Sequence, residues 1–156
     1  MTLVVFGTDV PIVKTDSGDT LATVRRLLFA LLWLGIVGTL VELLLIAHYE
    51  DVKQWIPLVL MALTLVVLGW QAAWPSRRAT RVLQVAMALF VVTGAIGIAL
   101  HYHGAKAFQV EVDPSLAGMH LFWKVMRAKA PPALAPGTMV GLGLIGFAYA
   151  QCTGRT

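Results

Sequence analysis

The stretch of sequence that decides the fold is LLFALLWLGIVGTLVELLLIA, residues 27–47. Glu42 is its only charged residue, and a helix of about 20 apolar residues is long enough to cross the hydrocarbon core of a bilayer. A soluble domain of this size buries only about two-thirds of the surface that its unfolded chain exposes, so it could not keep this much apolar surface away from water. Residues 27–48 are therefore predicted to form a first transmembrane helix.

The rest of the chain has the same apolar character. Of its 156 residues, 58% are hydrophobic and 13% are charged, whereas ordinary soluble domains carry about 25% charged residues. This composition excludes a soluble globular enzyme, a disordered tail and a nucleic-acid-binding domain. It predicts an all-α integral membrane protein of the inner (plasma) membrane, with the lipid bilayer as its main surroundings and no nucleic-acid partner.

Three further apolar runs cover residues 56–74, 82–101 and 136–152. Pro57 suits the first turn of a helix, and Trp55 and Trp74 flank the second run as interfacial aromatic residues do. We therefore predict a four-helix transmembrane bundle in residues 27–152. A cytoplasmic arm, residues 1–26, is predicted before it, with a short β-favouring stretch at residues 3–6.

The long connection between the third and fourth runs, residues 102–135, has two patterns of its own. Residues 108–113 alternate apolar and polar side chains as a short strand does. Asp113 and Ser115 are then predicted to cap a helix over residues 116–129, where apolar and basic side chains are interleaved. We expect this amphipathic helix to lie at the membrane interface. The alternative is that it packs on the end of the bundle outside the membrane.

The basic residues predict the orientation of the chain, because Lys and Arg next to membrane spans favour the cytoplasmic side. Five basic residues fall on one side of the predicted spans, and seven fall on the other, where they lie close to span ends. These seven are Lys14, Arg25, Arg26, Arg77, Arg78, Arg81 and Arg155. The sequence therefore predicts that both termini are cytoplasmic and that the histidine-bearing connections are extracytoplasmic.

All four histidines fall on this predicted outer side. His-Tyr closes both the first and the third span, so His48 and His101 are able to meet in an up-down bundle. Imidazole is the commonest metal ligand, and copper or zinc would suit it. The candidate metal ligands are His48, His101, His103, Glu50 and Asp51. A haem held between His48 and His101 is a variant. The simpler interpretation is that these residues lie at the headgroup level without a metal.

Two polar features lie within the spans. Glu42 is an intramembrane carboxyl, which is expensive in lipid and marks a functional site by default. Its possible functions are a proton relay and a contact with a partner. The alternative is that Glu42 is a hydrogen-bonded group packed in the bundle. Gln71 and Gln84 are predicted to form hydrogen bonds between helices.

Small residues line the fourth span at Gly137, Gly141, Gly143 and Gly146. Three of them match a dinucleotide-binding pattern by letters, but no strand precedes them and the segment is apolar. We interpret all four as helix-packing residues, facing either the bundle itself or another subunit.

These patterns support three hypotheses of function. The first is a non-enzymatic accessory or assembly subunit of a larger membrane complex, in contact with other membrane subunits or with itself. The second is a metal- or haem-binding membrane protein for electron transfer or metal handling. The third is a small proton-coupled transporter unit that uses Glu42 and needs an oligomer. No nucleophile stands with a recognisable base, so an enzyme is not predicted.

Overall fold

The computed structural model describes residues 17–128 and 133–153, and within these ranges the chain is helical with no strands. Its five α-helices are α1 (Ser17–Leu45), α2 (Val52–Ala73), α3 (Arg77–Val112), α4 (Gly118–Met126) and α5 (Leu134–Thr153). The predicted all-helical class is confirmed. The predicted strand-like stretch at residues 3–6 lies outside the described residues.

Three helices of the described chain are long and apolar enough to cross a membrane: Gly18–Leu45, Val52–Ala73 and Arg77–Val112. Their outward surfaces carry large apolar side chains that water would not tolerate in such density, for example Leu34 at 73% and Val66 at 70% exposure. The helix α5, with four glycines in its 20 residues, falls outside this set of three. The membrane-protein prediction therefore stands for the first three spans.

Local chemistry explains where α2 and α3 begin. The Asp51 carboxylate accepts a hydrogen bond from the Lys53 backbone N–H at 3.0 Å, and Gln54 Oε1 accepts one from the Asp51 backbone N–H at 3.1 Å. This reciprocal capping box satisfies backbone donors that the first turn leaves free. At the start of α3, Ser76 Oγ accepts from the Ala79 N–H at 3.1 Å. Short polar motifs in the sequence therefore determine where both helices begin.

The four longer helices contact one another in a cycle: α1 with α2, α2 with α3, α3 with α5, and α5 with α1. Fully buried apolar side chains from three of these helices fill the centre. They are Leu32, Ile36, Met61, Leu68, Leu83, Met87 and Phe90. The fourth helix, α5, adds Met139, Leu142 and Tyr149 to this core. The core therefore lies inside the cycle, and the outer faces are left apolar and exposed.

The contact between α3 and α5 is close enough for backbones to touch, and we call it the α3–α5 seam. A Cβ built at Gly94 would lie 2.6 Å from the Pro136 carbonyl oxygen, and one built at Gly143 would lie 2.9 Å from the Met87 carbonyl oxygen. The pairing runs in opposite directions along the two helices, which are therefore antiparallel. Glycine is required at Gly94 and Gly143 because any side chain there meets backbone.

The helix α3 extends well past residue 101, so the predicted strand over residues 108–113 is wrong. Its alternating apolar side chains, Phe108, Val110 and Val112, are all exposed on the helix surface. A strand at this place would need a neighbouring strand to pair with, whereas a helix satisfies its own backbone groups. The helix stops at Asp113, in an extended conformation, because the following Pro114 disfavours helical geometry in the residue before it.

The amphipathic helix of the connection is α4, and it is shorter at both ends than the predicted residues 116–129. The predicted capping role of Asp113 is wrong, since its carboxylate accepts from the Ser115 N–H at 3.1 Å and the Ser115 hydroxyl at 2.6 Å. The helix starts instead after Ala117, without a side-chain cap. Leu121 and Val125 are buried, and α4 packs against α3.

Candidate functional site

The end of α1 turns sharply and carries His48 towards α3. Ala47 has a left-handed φ of 54°, and the His48 backbone N–H donates to the Leu43 carbonyl oxygen at 2.9 Å. The His48 and His101 rings are then stacked, with centroids 6.1 Å apart and an interplanar angle of 27°. The two span ends that the sequence allowed to meet thus lie together at one point.

The environment of this histidine pair favours neutral imidazole at His48. Partial burial lowers the pKa of His48, and the neighbouring His101 lowers it further because two imidazolium charges would repel. A neutral imidazole keeps a nitrogen lone pair that can take a proton or a metal ion. The pair is therefore chemically able to act as a ligand near neutral pH.

The other predicted metal ligands do not join the pair. Asp51 is occupied as the N-cap of α2, Glu50 is exposed beside it, and His103 lies next to the Tyr102 ring. Two residues along a helix correspond to a rotation of about 200°, so His103 and His101 lie on different sides of α3. Within residues 17–128 and 133–153, no group of three or more His, Cys, Asp or Glu side chains is close enough to hold a metal ion.

Glu42 lies on the outside of the helix cycle, three residues before α1 ends. Its side chain is exposed, and no described residue forms a hydrogen bond or an ion pair with it. One turn earlier is Gly38, where a Cβ would meet no atom within 4 Å. Val41 and Leu45 flank the carboxyl and are also exposed, Leu45 to 81%. We call this set, Gly38, Val41, Glu42 and Leu45, the α1 outer face.

The four glycines of the fourth predicted span divide into two pairs. Gly143 and Gly146 face the α3–α5 seam, where a Cβ at Gly146 would collide with the Met87 side chain. At Gly137 and Gly141 a Cβ would meet no atom within 4 Å. Gly143 and Gly146 therefore allow close packing of α5 on α3, whereas Gly137 and Gly141 border open space on the surface of α5.

Two further polar features lie away from these places. Gln71 is buried between α2 and α3, where its Nε2 donates to Thr80 Oγ1 at 3.3 Å, the interhelical role predicted for it. Its Oε1 is buried without a partner among the described residues.

The second feature is a groove on α4, lined by Met119, His120, Trp123, Lys124 and Arg127. Sequence reasoning noted the amphipathic helix but not that these five side chains share one face.

The comparisons with known proteins assign neither a family nor a function to this chain. No protein-family model, no curated protein and no solved structure matches this chain. The functional argument therefore depends on the geometry of two places: the α1 outer face and the histidine pair.

Proposed function

We propose that this protein is an accessory or assembly subunit of a larger inner-membrane complex, with four membrane spans and both termini in the cytoplasm. In this proposal α5 is the fourth span. Its 20 residues give about 30 Å of helix, the thickness of the hydrocarbon core. Glycine lowers the hydropathy of α5, yet two of its glycines, Gly143 and Gly146, allow its close contact with α3, which supports a place inside the bundle.

The observation that carries the proposal is the position of Glu42. A carboxyl facing lipid is unfavourable, by about 2.5–3.5 kcal/mol for charged residues at the centre of a span and by less near its end. Nothing in the described chain offers it a hydrogen bond. A helix of a second protein packed on the α1 outer face would supply the missing donor and exclude lipid.

The chemistry of the α1 outer face also describes its partner. Gly38 leaves a notch beside the carboxyl, and small residues let two transmembrane helices approach closely. The fitting partner is a transmembrane helix with a Lys, Arg, Ser, Thr, Asn or Gln side chain at the depth of Glu42. A second copy fits less well, because a two-fold contact places two Glu42 carboxyls together. The transporter hypothesis, in which Glu42 carries protons, needs an oligomer and therefore requires this contact between two copies.

Site-specific photo-crosslinking in native membranes tests this proposal. A photoreactive residue at position 45, on the α1 outer face, is compared with one at position 66, the exposed Val66 of α2. We expect one discrete heteromeric product from position 45 and none from position 66. Glu42→Leu should abolish the product, whereas Glu42→Gln should retain it, because the amide still forms a hydrogen bond.

Two results would contradict the proposal. One is equal crosslinking from positions 45 and 66, which indicates random neighbours. The other is a product of two copies of this 16.9 kDa chain, which would replace the heteromeric partner by self-association and favour the transporter hypothesis.

The second candidate function is metal binding by the histidine pair. A metal ion held about 2.0 Å from one nitrogen of each of two opposed imidazoles separates the ring centroids by about 6 Å. The His48 and His101 centroids lie 6.1 Å apart, close to that spacing, and the rings are stacked, so metal binding requires each ring to turn until one nitrogen faces the ion. Copper(I) would suit the two imidazoles, zinc would need further ligands, and a haem iron would be held by both histidines.

Metal analysis of untagged protein, purified in mild detergent without chelators, tests this second candidate. We expect near-stoichiometric copper, zinc or iron that is lost in His48→Ala and in His101→Ala. His103→Ala is the matched control and should keep the metal, since His103 lies on another side of α3. A metal-free wild type, or equal loss in all three variants, would exclude the histidine pair as the site.

A further inference from the structure

The groove on α4 is a surface built from apolar and cationic side chains together. It has a volume of about 430 Å³ and is lined by Met119, His120, Trp123, Lys124 and Arg127. The spacing of three or four residues places all five on one face of the helix. The opposite face carries Leu121 and Val125, which are buried. The groove therefore faces away from the protein while the helix is held firmly from behind.

The position of α4 along α3 relates the groove to the membrane. The Phe122 ring lies 6.0 Å from the ring of Tyr102, the residue after His101. From Arg77 at the start of α3 to Tyr102 the helix rises about 38 Å, which is more than the hydrocarbon core of about 30 Å. The middle of α4 is thus at the depth of lipid headgroups when α3 spans a bilayer.

The electrostatics of the groove favour an anion. The Arg127 guanidinium carbon lies 5.4 Å from the Trp123 ring centroid, and the Lys124 ammonium lies 4.0 Å from the Asp113 carboxylate. Among the described residues, Asp113 is the only acidic group with an ion pair to these cations, and it also accepts two hydrogen bonds from Ser115. These bonds lower the pKa of Asp113 and keep it ionised. The carboxylate therefore offsets Lys124 alone, and Arg127 has no ion pair among the described residues.

The walls of the groove decide between a free anion and a lipid. Met119 is 67% exposed and Trp123 is 50% exposed, so a large apolar surface adjoins the cations. Trp prefers the membrane–water interface, where its ring meets acyl chains and its N–H stays hydrated. We propose that this groove binds the phosphate of an anionic phospholipid, with Arg127 and Lys124 on the phosphate and Met119 and Trp123 along the upper acyl chain. The proposal depends on membrane insertion and not on a partner subunit.

Native mass spectrometry of the full-length protein tests this site. The protein is released from detergent with phosphatidylglycerol or phosphatidylethanolamine of identical acyl chains, and the retained lipid is counted. We expect the anionic lipid to be retained in preference. The double variant Lys124→Gln/Arg127→Gln should lower that retention about thirtyfold, since each of the two cations adds about 1 kcal/mol near a membrane surface. The variant Arg77→Gln/Arg78→Gln removes the same charge at the other end of α3 and should retain the lipid.

Two further variants keep the test independent of misfolding. Asp113→Asn removes the competing carboxylate but keeps a hydrogen-bonding side chain, so it should raise retention of phosphatidylglycerol. Trp123→Leu should lower retention while leaving the charge unchanged. Helicity measured by circular dichroism verifies that each variant is folded.

Three outcomes would overturn the proposal. Equal loss in the α4 and the Arg77/Arg78 variants would indicate a general charge effect rather than a site. Equal retention of the two lipids would exclude recognition of an anion. Displacement of the lipid by low-millimolar inorganic phosphate would make the groove a phosphate site and not a lipid site. A failure of the crosslinking experiment on Glu42 would leave this result unaffected.

Discussion

The α3–α5 seam and the α1 outer face both contain glycine in an apolar helix, and they use it in opposite ways. At the seam, Gly94 and Gly143 bring backbones into contact, and a Cβ at either would meet a carbonyl oxygen within 3 Å. At the α1 outer face, Gly38 borders open space next to the Glu42 carboxyl, which has no hydrogen-bond partner among the described residues. Glycine therefore allows close helix packing at the α3–α5 seam and leaves room for a neighbouring helix at the α1 outer face. Only the atoms around each glycine distinguish the two uses.

The largest expected effect breaks the seam itself. Gly94→Ala pushes a methyl group against the Pro136 carbonyl and should lower the free energy of unfolding by about 1–3 kcal/mol, as overpacking does. Gly104→Ala is the matched control on the same helix, where a Cβ meets no atom within 4 Å. That control should be neutral or stabilising by up to about 1 kcal/mol, because alanine is the better helix former. Thermal unfolding in detergent measures both, and equal Tm values would contradict the seam.

The next effect concerns the α1 outer face. Glu42→Leu should stabilise the isolated chain in a bilayer by about 1–2 kcal/mol, because it removes a polar group from a lipid-facing surface near the end of a span. Val41→Leu on the same face serves as the control and should change stability little. Unfolding of the purified, reconstituted protein measures the difference. A destabilised Glu42→Leu variant would mean that the carboxyl has a partner within this chain.

A smaller effect lies between α2 and α3. Thr80→Val removes the acceptor of the Gln71 side-chain amide and should destabilise by about 0.6–1 kcal/mol, the usual contribution of an interhelical hydrogen bond in a membrane protein. Adding Gln71→Leu should recover part of the loss, because no buried amide then remains unsatisfied. Additive losses in the double variant would show that the two side chains do not interact.

The smallest expected effect is a dependence on pH at the histidine pair. The pKa of His48 is lowered from 6.5 in the folded protein, so the unfolded chain binds a proton more readily. Stability is therefore full above about pH 6.5 and falls as the pH drops through the lower, folded pKa. We expect a small decrease in Tm between pH 7.5 and pH 5, and a weaker one in His48→Gln. The same decrease in both proteins would assign it to other groups.

How much the sequence predicted depends on the kind of pattern. The apolar run at residues 27–47 is a local signal, and the structure has a helix there. The prediction that Pro57 lies in the first turn of a helix is wrong, because the Asp51 capping box starts α2 at Val52 and leaves Pro57 inside the helix. The outward direction of Glu42 is different, because α1 is apolar all round and no polar stripe marks which side faces the core. The strand prediction at residues 108–113 failed because alternation is a reliable sign only where one face is buried.

The histidine pair shows a third situation. The shared depth of His48 and His101 follows from the lengths of the two spans, and it was visible in the sequence. Whether they touch depends on the left-handed turn at Ala47 and on the order of helices around the cycle. The α4 groove likewise required the direction of each side chain, which a mixed pattern of Trp, Lys and Arg does not supply.

The helix α3 is unbroken from Arg77 to Val112, without an internal proline, and its 36 residues give a rod of about 54 Å. Such a rod is stiff, so a tilt at one end becomes a displacement at the other. Its first turn carries the basic residues Arg77 and Arg78, and its far third carries α4. Because one continuous helix joins them, a tilt of α3 against α5 would shift α4 at the membrane surface relative to the basic residues at the other end.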